Sequence, residues 1–257
     1  YEISCSLVGS EMCIRDRIRL FTIPNLLTLM NLLCGSFAVV AALMYNDLTL
    51  AFWLIVAGIV FDFFDGFVAR LLHSSSAIGV QLDSLADVIT SGLAPAAVLW
   101  QVCLQTEPCW LPETWKLGYG VFVLAAFSAL RLAKFNIDET QTVEFCGLPT
   151  PAGSLLCASL GMLWQQGAVA LSSDGVLLIA VLTSLLLVSP IRMFALKFHG
   201  FGWRGNEVRY LFLLASIVLI IILRTYAIPV IIVLYIVVSA VRWLCMRSGN
   251  PDKAPKA

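Results

Sequence analysis

Four aspartates stand where a chain this apolar should carry none. Asp62 and Asp65 fall in the run FDFFDGFVARLL, and Asp83 and Asp87 in GVQLDSLADVI. Asp62 and Asp65 are three residues apart and share one face of a helix; Gly79, Asp83 and Asp87 follow at successive spacings of four and share a face of the next. The link HSSSAI is short enough to make the two helices antiparallel neighbours, so four carboxylates reach one depth with only Arg70 close in sequence to offset them. An Asp inside a membrane span costs at least ~2.5 kcal/mol, and four together need a compensating partner. Carboxylates so placed cannot all ionise unless cations join them, and an oxygen-only ligand set selects hard ions such as Mg2+ or Mn2+ over zinc. Four Asp can hold two divalent cations, the arrangement of two-metal phosphoryl transfer. Gly66 and Gly79 let a bulky phosphorylated ligand approach the backbone, Ala69 keeps that surface low, and Arg70 carries a planar fork suited to phosphate. The bland alternative is a proton relay or cation path in a transporter.

The elements that must position these acids are apolar spans. Of 257 residues, 60% are hydrophobic and 12% charged, about half the charge of a soluble domain. With a mean hydropathy of +0.92, the composition is that of an all-α, polytopic membrane helix bundle. Eight stretches are long enough to cross about 30 Å of hydrocarbon: 27–45, 48–70, 80–104, 116–136, 152–171, 175–195, 208–224 and 227–246. Ahead of the first, Pro24 begins a short interfacial helix within IPNLLTLMN. Sixteen Lys and Arg balance sixteen Asp and Glu, which excludes a nucleic-acid-binding surface. If the N-terminus is cytoplasmic, fourteen of those sixteen bases fall on the cytoplasmic side and only Lys116 and Arg224 opposite, so both termini are expected inside. Eight cysteines (5, 13, 34, 103, 109, 146, 157 and 245) include no CxxC pair, and neither a disulfide framework nor a zinc site is expected. Residues 1–17 fit neither a signal peptide nor a bundle helix; their run SLVGSEMCIRDR resembles a translated sequencing adapter, and they are read as a non-native or disordered leader. The membrane domain is expected over 18–247, with a disordered cytoplasmic tail at 248–257.

The pattern D-x2-D-G-x2-A-R-x8-G-x3-D-x3-D, set here by Asp62, Asp65, Gly66, Ala69, Arg70, Gly79, Asp83 and Asp87, resembles the signature of the CDP-alcohol phosphatidyltransferase family at every defined position. The resemblance extends over residues 20 to about 200 through IPNLLTLMNLLCG (23–35), LDSLADVITSGLAPA (82–96), RLAKFN (131–136), GLPTPAG (147–153) and SPIRMFALKF (189–198), and these segments look like the phosphatidylserine synthase branch. Lys134 stands where members often carry Arg, which keeps the charge but not the bidentate geometry. The last two spans carry little motif content and resemble the extra pair of some members.

The resemblance implies a site in the membrane that faces the cytoplasm, in the inner membrane of a prokaryotic cell. It implies that Asp62, Asp65, Asp83 and Asp87 ligate two divalent cations, Mg2+ or Mn2+, and that Asp65, Gly66, Ala69, Arg70 and Gly79 contact the CDP portion. Asp87 would act as general base on the hydroxyl of L-serine, the phosphatidyl group of CDP-diacylglycerol would be transferred and CMP released. Attack is either direct or by way of a phosphatidyl-enzyme. Another acceptor, such as glycerol 3-phosphate or an inositol phosphate, is the near alternative; the resemblance also suggests a homodimer.

The remaining polar residues divide between two readings. Arg131 and Lys134, and likewise Arg192 and Lys197, are either positive-inside anchors or ligands of the lipid phosphate or the serine carboxylate. Arg192 follows Pro190 in an apolar stretch, where a broken helix exposes polar backbone to a cavity. Asn31, one turn beyond Thr28, is polar glue between helices or a substrate ligand. His73 is a loop residue without a catalytic role.

Overall fold

The computed structural model describes residues 21–72, 76–109, 117–137, 145–193 and 207–249. Eight α-helices occupy the expected spans among these residues: α1 (Ile23–Leu43), α2 (Leu48–Leu71), α3 (Ala77–Gln105), α4 (Val123–Ile137), α5 (Thr150–Gln165), α6 (Ser173–Val188), α7 (Glu207–Leu223) and α8 (Ala227–Gly249). Two strands of two residues, β1 (Phe145–Cys146) and β2 (Arg192–Met193), pair antiparallel. Among the described residues, five stretches are long and apolar enough to cross a membrane, the last (Val208–Cys245) holding both α7 and α8. These two fold back at Arg224–Tyr226, where Arg224 takes a φ of +49°, and the rings of Phe212 and Tyr235 meet at 5.8 Å across the hairpin. The chain is an integral membrane protein.

Sequence chemistry sets the helix ends. Thr22 caps α1 by accepting from the Asn25 amide at 3.3 Å, and Pro24 sits in the first turn, where its missing N–H is no loss. Nothing breaks the chain after Asn31, so the expected interfacial helix is instead the opening turns of one continuous α1. Asp47 and Ser76 cap α2 and α3 through the amides of Leu50 and Gly79. α5 stops earlier than its hydropathy suggests: Gly167 at φ +68° lets its own amide and that of Ala168 return to Trp164 and Leu163, a Schellman ending. α6 stops at Val188 because Pro190 forces Ser189 into extended backbone. Of the expected tail, Ser248 and Gly249 remain helical, while residues 1–17 and 250–257 lie outside the described residues.

α3 is the central helix. It touches α1, α2, α4, α5 and α6, and Ala94, Ala96, Ala97, Val98, Leu99 and Val102 are fully buried along it. Directly after Asp87 it passes through a π-helical stretch, Val88–Leu93. Pro95 lacks an amide and its ring would crowd the carbonyl of Ser91; the wider turn, with Ala94 donating to Ile89, accommodates it. At the end of the bundle away from the acids, the α1–α2 turn is cross-linked to α3 and α5: Gln105 and Gln101 donate to Asn46 Oδ1 at 2.7 and 3.1 Å, and Gln165 donates to the Asn46 carbonyl.

Candidate active site

α2 and α3 deliver the acids to one place. Ligand oxygens of Asp62, Asp83 and Asp87 all lie within 4.8 Å of one another. Oxygens that share one divalent ion at about 2.0–2.6 Å can be no more than about 5 Å apart, so the three fit around a single cation. Asp83 Oδ1 is buried without a hydrogen-bond donor among the described residues, an acceptor that a cation would satisfy. Asp65 stands at the flank of this trio. Its Oδ2 accepts from Thr28 Oγ1 at 2.5 Å, and it remains near enough to Asp83 and Asp87 to interact with them electrostatically. Thus three acids converge on one point and the fourth is held beside them by α1.

The surrounding surface is built for close approach. A Cβ placed on Gly66 would meet nothing within 4 Å, so the backbone lies open there, whereas one on Gly79 would come within 3.2 Å of Asn25 Oδ1. Arg70 Nε donates to the Gly66 carbonyl at 2.9 Å, which keeps the guanidinium beside that open stretch. Ala69, in the same turn, leaves the surface low.

Arg131 and Lys134, on the last turns of α4, line a cleft of about 370 Å3 together with Leu130, Phe135, Cys146, Leu187 and Val188. Arg131 Nη1 donates to Thr150 Oγ1 at the start of α5, and its guanidinium lies 5.6 Å from the Phe135 ring centre. It is also close enough to Asp87 and to Tyr235 of α8 for electrostatic interaction, so it stands between the acids and the cleft. Arg192 pairs with Cys146 across the β1–β2 ladder, which puts its backbone at the cleft wall. The backbone freed by the break after α6 is hydrogen-bonded: beside the ladder, Gly147 donates to the Ile191 carbonyl and Leu148 to the Leu186 carbonyl, both at 2.9 Å. Lys197 and His73 lie outside the described residues.

Asn31 is fully buried and donates through Nδ2 to Asp87 Oδ1 at 3.2 Å, a place at the acids and not in the cleft. Sequence reasoning missed the grip of Thr28 on Asp65, the Thr150 anchor of Arg131, and the bond of Asn136 Nδ2 to Ser84 Oγ at 2.7 Å that ties α4 to the turn bearing Asp83. Each spans at least nineteen residues, and no local spacing announces it.

Residues 21–189 match the CDP-alcohol phosphatidyltransferase family, about two thirds of the chain. The chain belongs to that family. A CDP-alcohol phosphatidyltransferase is a transferase of phospholipid synthesis, and the acids, glycines and arginine of α2 and α3 lie inside the matched segment. Among curated CDP-alcohol phosphatidyltransferases, the chain is 33% identical over 178 residues to the CDP-diacylglycerol–serine O-phosphatidyltransferase of Bacillus subtilis strain 168, covering 69% of this chain and 93% of that protein. It is 30% identical over 230 residues to the enzyme of the same name from Helicobacter pylori 26695 (88% and 92%), and 32% identical over 259 residues to that of Mycobacterium tuberculosis H37Rv (94% and 87%). The family match ends before α7, whereas the Mycobacterium alignment covers nearly the whole chain.

Proposed function

We propose that this transferase makes phosphatidylserine, moving the phosphatidyl group of CDP-diacylglycerol to the hydroxyl of L-serine with release of CMP. The observation that carries the reading is the convergence of Asp62, Asp83 and Asp87 within 4.8 Å beside the open backbone at Gly66, in a chain similar along most of its length to enzymes named for this reaction. Two divalent cations, Mg2+ or Mn2+, would be held by Asp62, Asp65, Asp83 and Asp87, and when bound they supply charge neutralisation of the diphosphate. Asp65, Gly66, Ala69, Arg70 and Gly79 receive the CDP portion, Gly66 by offering bare backbone and Arg70 by its fork beside it. Asp87 takes the proton from the serine hydroxyl. The serine oxygen forms a bond to the phosphatidyl phosphorus, and the bond from that phosphorus to the CMP oxygen breaks, the electron pair leaving with CMP.

Arg131 and Lys134 give the cleft the positive charge that receives the serine carboxylate, with Arg192 and Lys197 as further candidates. Arg131 is preorganised for this by Thr150 and Phe135, which limit its rotamers. The acid end carries Arg70, Arg131, Lys134 and Arg192, and by the positive-inside bias it faces the cytoplasm of a prokaryotic inner membrane with both termini on that side. The working unit is proposed to be a homodimer.

The test offers purified protein, CDP-diacylglycerol and Mn2+ a mixture of labelled serine, glycerol 3-phosphate and inositol phosphate. Labelled phosphatidylserine and stoichiometric CMP are expected; incorporation of another alcohol alone would overturn serine, and ion flux in liposomes without CMP release would favour transport. Chelation with EDTA should stop turnover, and Mn2+ or Mg2+ should restore it. Asp87→Asn should lower turnover by about 100-fold or more while CDP-lipid still binds; retained turnover would sink the general-base role.

A further inference from the structure

α1 carries none of the four acids, yet it contacts two of them. Thr28 and Asn31 stand three residues apart on α1 and so share one face, about 4.5 Å apart along the axis. Thr28 reaches Asp65 on α2 and Asn31 reaches Asp87 on α3, so one rigid element touches one acid of each acid-bearing helix. We propose that Thr28 and Asn31 are positioning residues that hold Asp65 and Asp87 in the orientation a divalent cation requires. This inference rests on the reading that these acids bind such a cation.

The chemistry of each contact leaves one outcome. The Thr28 hydroxyl has a single proton and two acceptors in range, the Pro24 carbonyl at 3.1 Å and Asp65 Oδ2 at 2.5 Å; the shorter, charge-assisted bond takes it. Asn31 can present either end of its amide, but with the amide reversed its oxygen would face the carboxylate of Asp87, so Nδ2 donates there. Each bond fixes one oxygen of its carboxylate, Asp65 also accepting from the Gly66 backbone, and each carboxylate keeps lone pairs for a cation.

The frame behind Asn31 is equally constrained. Its carbonyl accepts from Thr90 Oγ1 at 3.0 Å, within the π-helical stretch of α3. Its amide oxygen is buried with no hydrogen-bond partner among the described residues and lies 2.9 Å from where a Cβ on Gly58 would sit. A Cβ on Gly35 would collide with Thr90 itself. The Asn31 amide thus occupies space that Gly58 leaves open, and the close approach of Thr90 to Gly35 and Gly58 sets the spacing of α1, α2 and α3 one turn from the acids. Groups that orient metal ligands in this way typically change affinity by about 10- to 100-fold when lost.

The experiment titrates purified protein in detergent with Mn2+, reading free Mn2+ by its electron paramagnetic resonance signal with no lipid present. Wild type and Asp83→Asn test the cation reading; Thr28→Val, Thr28→Ser, Asn31→Leu and the pair Thr28→Val with Asp65→Asn test the positioning. Thr28→Val and Asn31→Leu are each expected to weaken Mn2+ binding about 10-fold, with Thr28→Ser restored to within about threefold of wild type. Thr28→Val should add nothing on top of Asp65→Asn, since it acts through that carboxylate. If wild type binds no Mn2+, the cation reading falls and this inference with it. If wild type binds and Asp83→Asn does not, while Thr28→Val binds as wild type does or Thr28→Ser is as weak as Thr28→Val, the positioning role alone is overturned. Failure of both Thr28→Val and Asn31→Leu to give a monodisperse folded protein also overturns it, because the pair would then serve to hold the helices together.

Discussion

At the scale of single residues, Gly66 separates fold from binding. Gly66 has open space where a side chain would go. Gly66→Val should therefore leave the melting temperature in detergent within about 2 °C of wild type while raising KM for CDP-diacylglycerol about 10- to 100-fold, because only the ligand meets the added methyls. Unchanged KM would mean that CDP does not approach this backbone. Arg131→Ala should raise KM for serine more than it lowers kcat, about 10-fold or more, since its anchors to Thr150 and Phe135 serve orientation. The acids, Gly66 and Arg70 were legible in the sequence because their geometry is local: spacings of three and four on a helix put them on one face regardless of the rest of the fold. The partners that hold them were not, because Thr28 lies 37 residues from Asp65 and Asn31 lies 56 from Asp87, and only packing brings them together.

At the scale of elements, the apolar runs announced the spans but not their ends: Thr22 and Ser76 cap helices, and Gly167 and Pro190 stop them, several residues from where hydropathy alone put the edges. The π-helical turn after Asp87 was not visible, since Pro95 within an apolar run is equally compatible with a kink or a helix start. That turn matters because Thr90, inside it, fills the space left by Gly35 and Gly58 on α1 and α2. Gly35→Val should push α1 from α3 and destabilise the protein by about 1–3 kcal/mol, read as a lower melting temperature together with weaker Mn2+ binding. A normal melting temperature would show that the contact yields without cost.

At the scale of the whole molecule, the two ends of the bundle differ, and labelling can tell them apart. Cys146 lines the cleft at the acid end, and Cys109, whose amide donates to Asp174 at 2.8 Å, lies at the other. In variants whose only cysteine is one of these two, an impermeant maleimide should modify Cys146 from the cytoplasmic face and Cys109 from the opposite face; the reverse pattern would invert the topology. Helix length adds a further asymmetry. α2 has 24 residues and spans about 36 Å, whereas α5 and α6 have 16 each and span about 24 Å. At the far end all are flush, since Gln165 bonds Asn46 and the Ser173 amide meets the Glu107 carbonyl. The missing length therefore falls wholly at the acid end, above the cleft, where the two-residue ladder and the Gly147–Pro149 turn replace regular helix. α6, whose Leu178, Val181, Leu182 and Leu185 are exposed, is thus several ångströms shorter than a hydrocarbon layer of about 30 Å, a mismatch that lipid beside it would meet by thinning. A bilayer that thinned beside α6 by that amount would bring water closer to the cleft than a layer of full thickness allows.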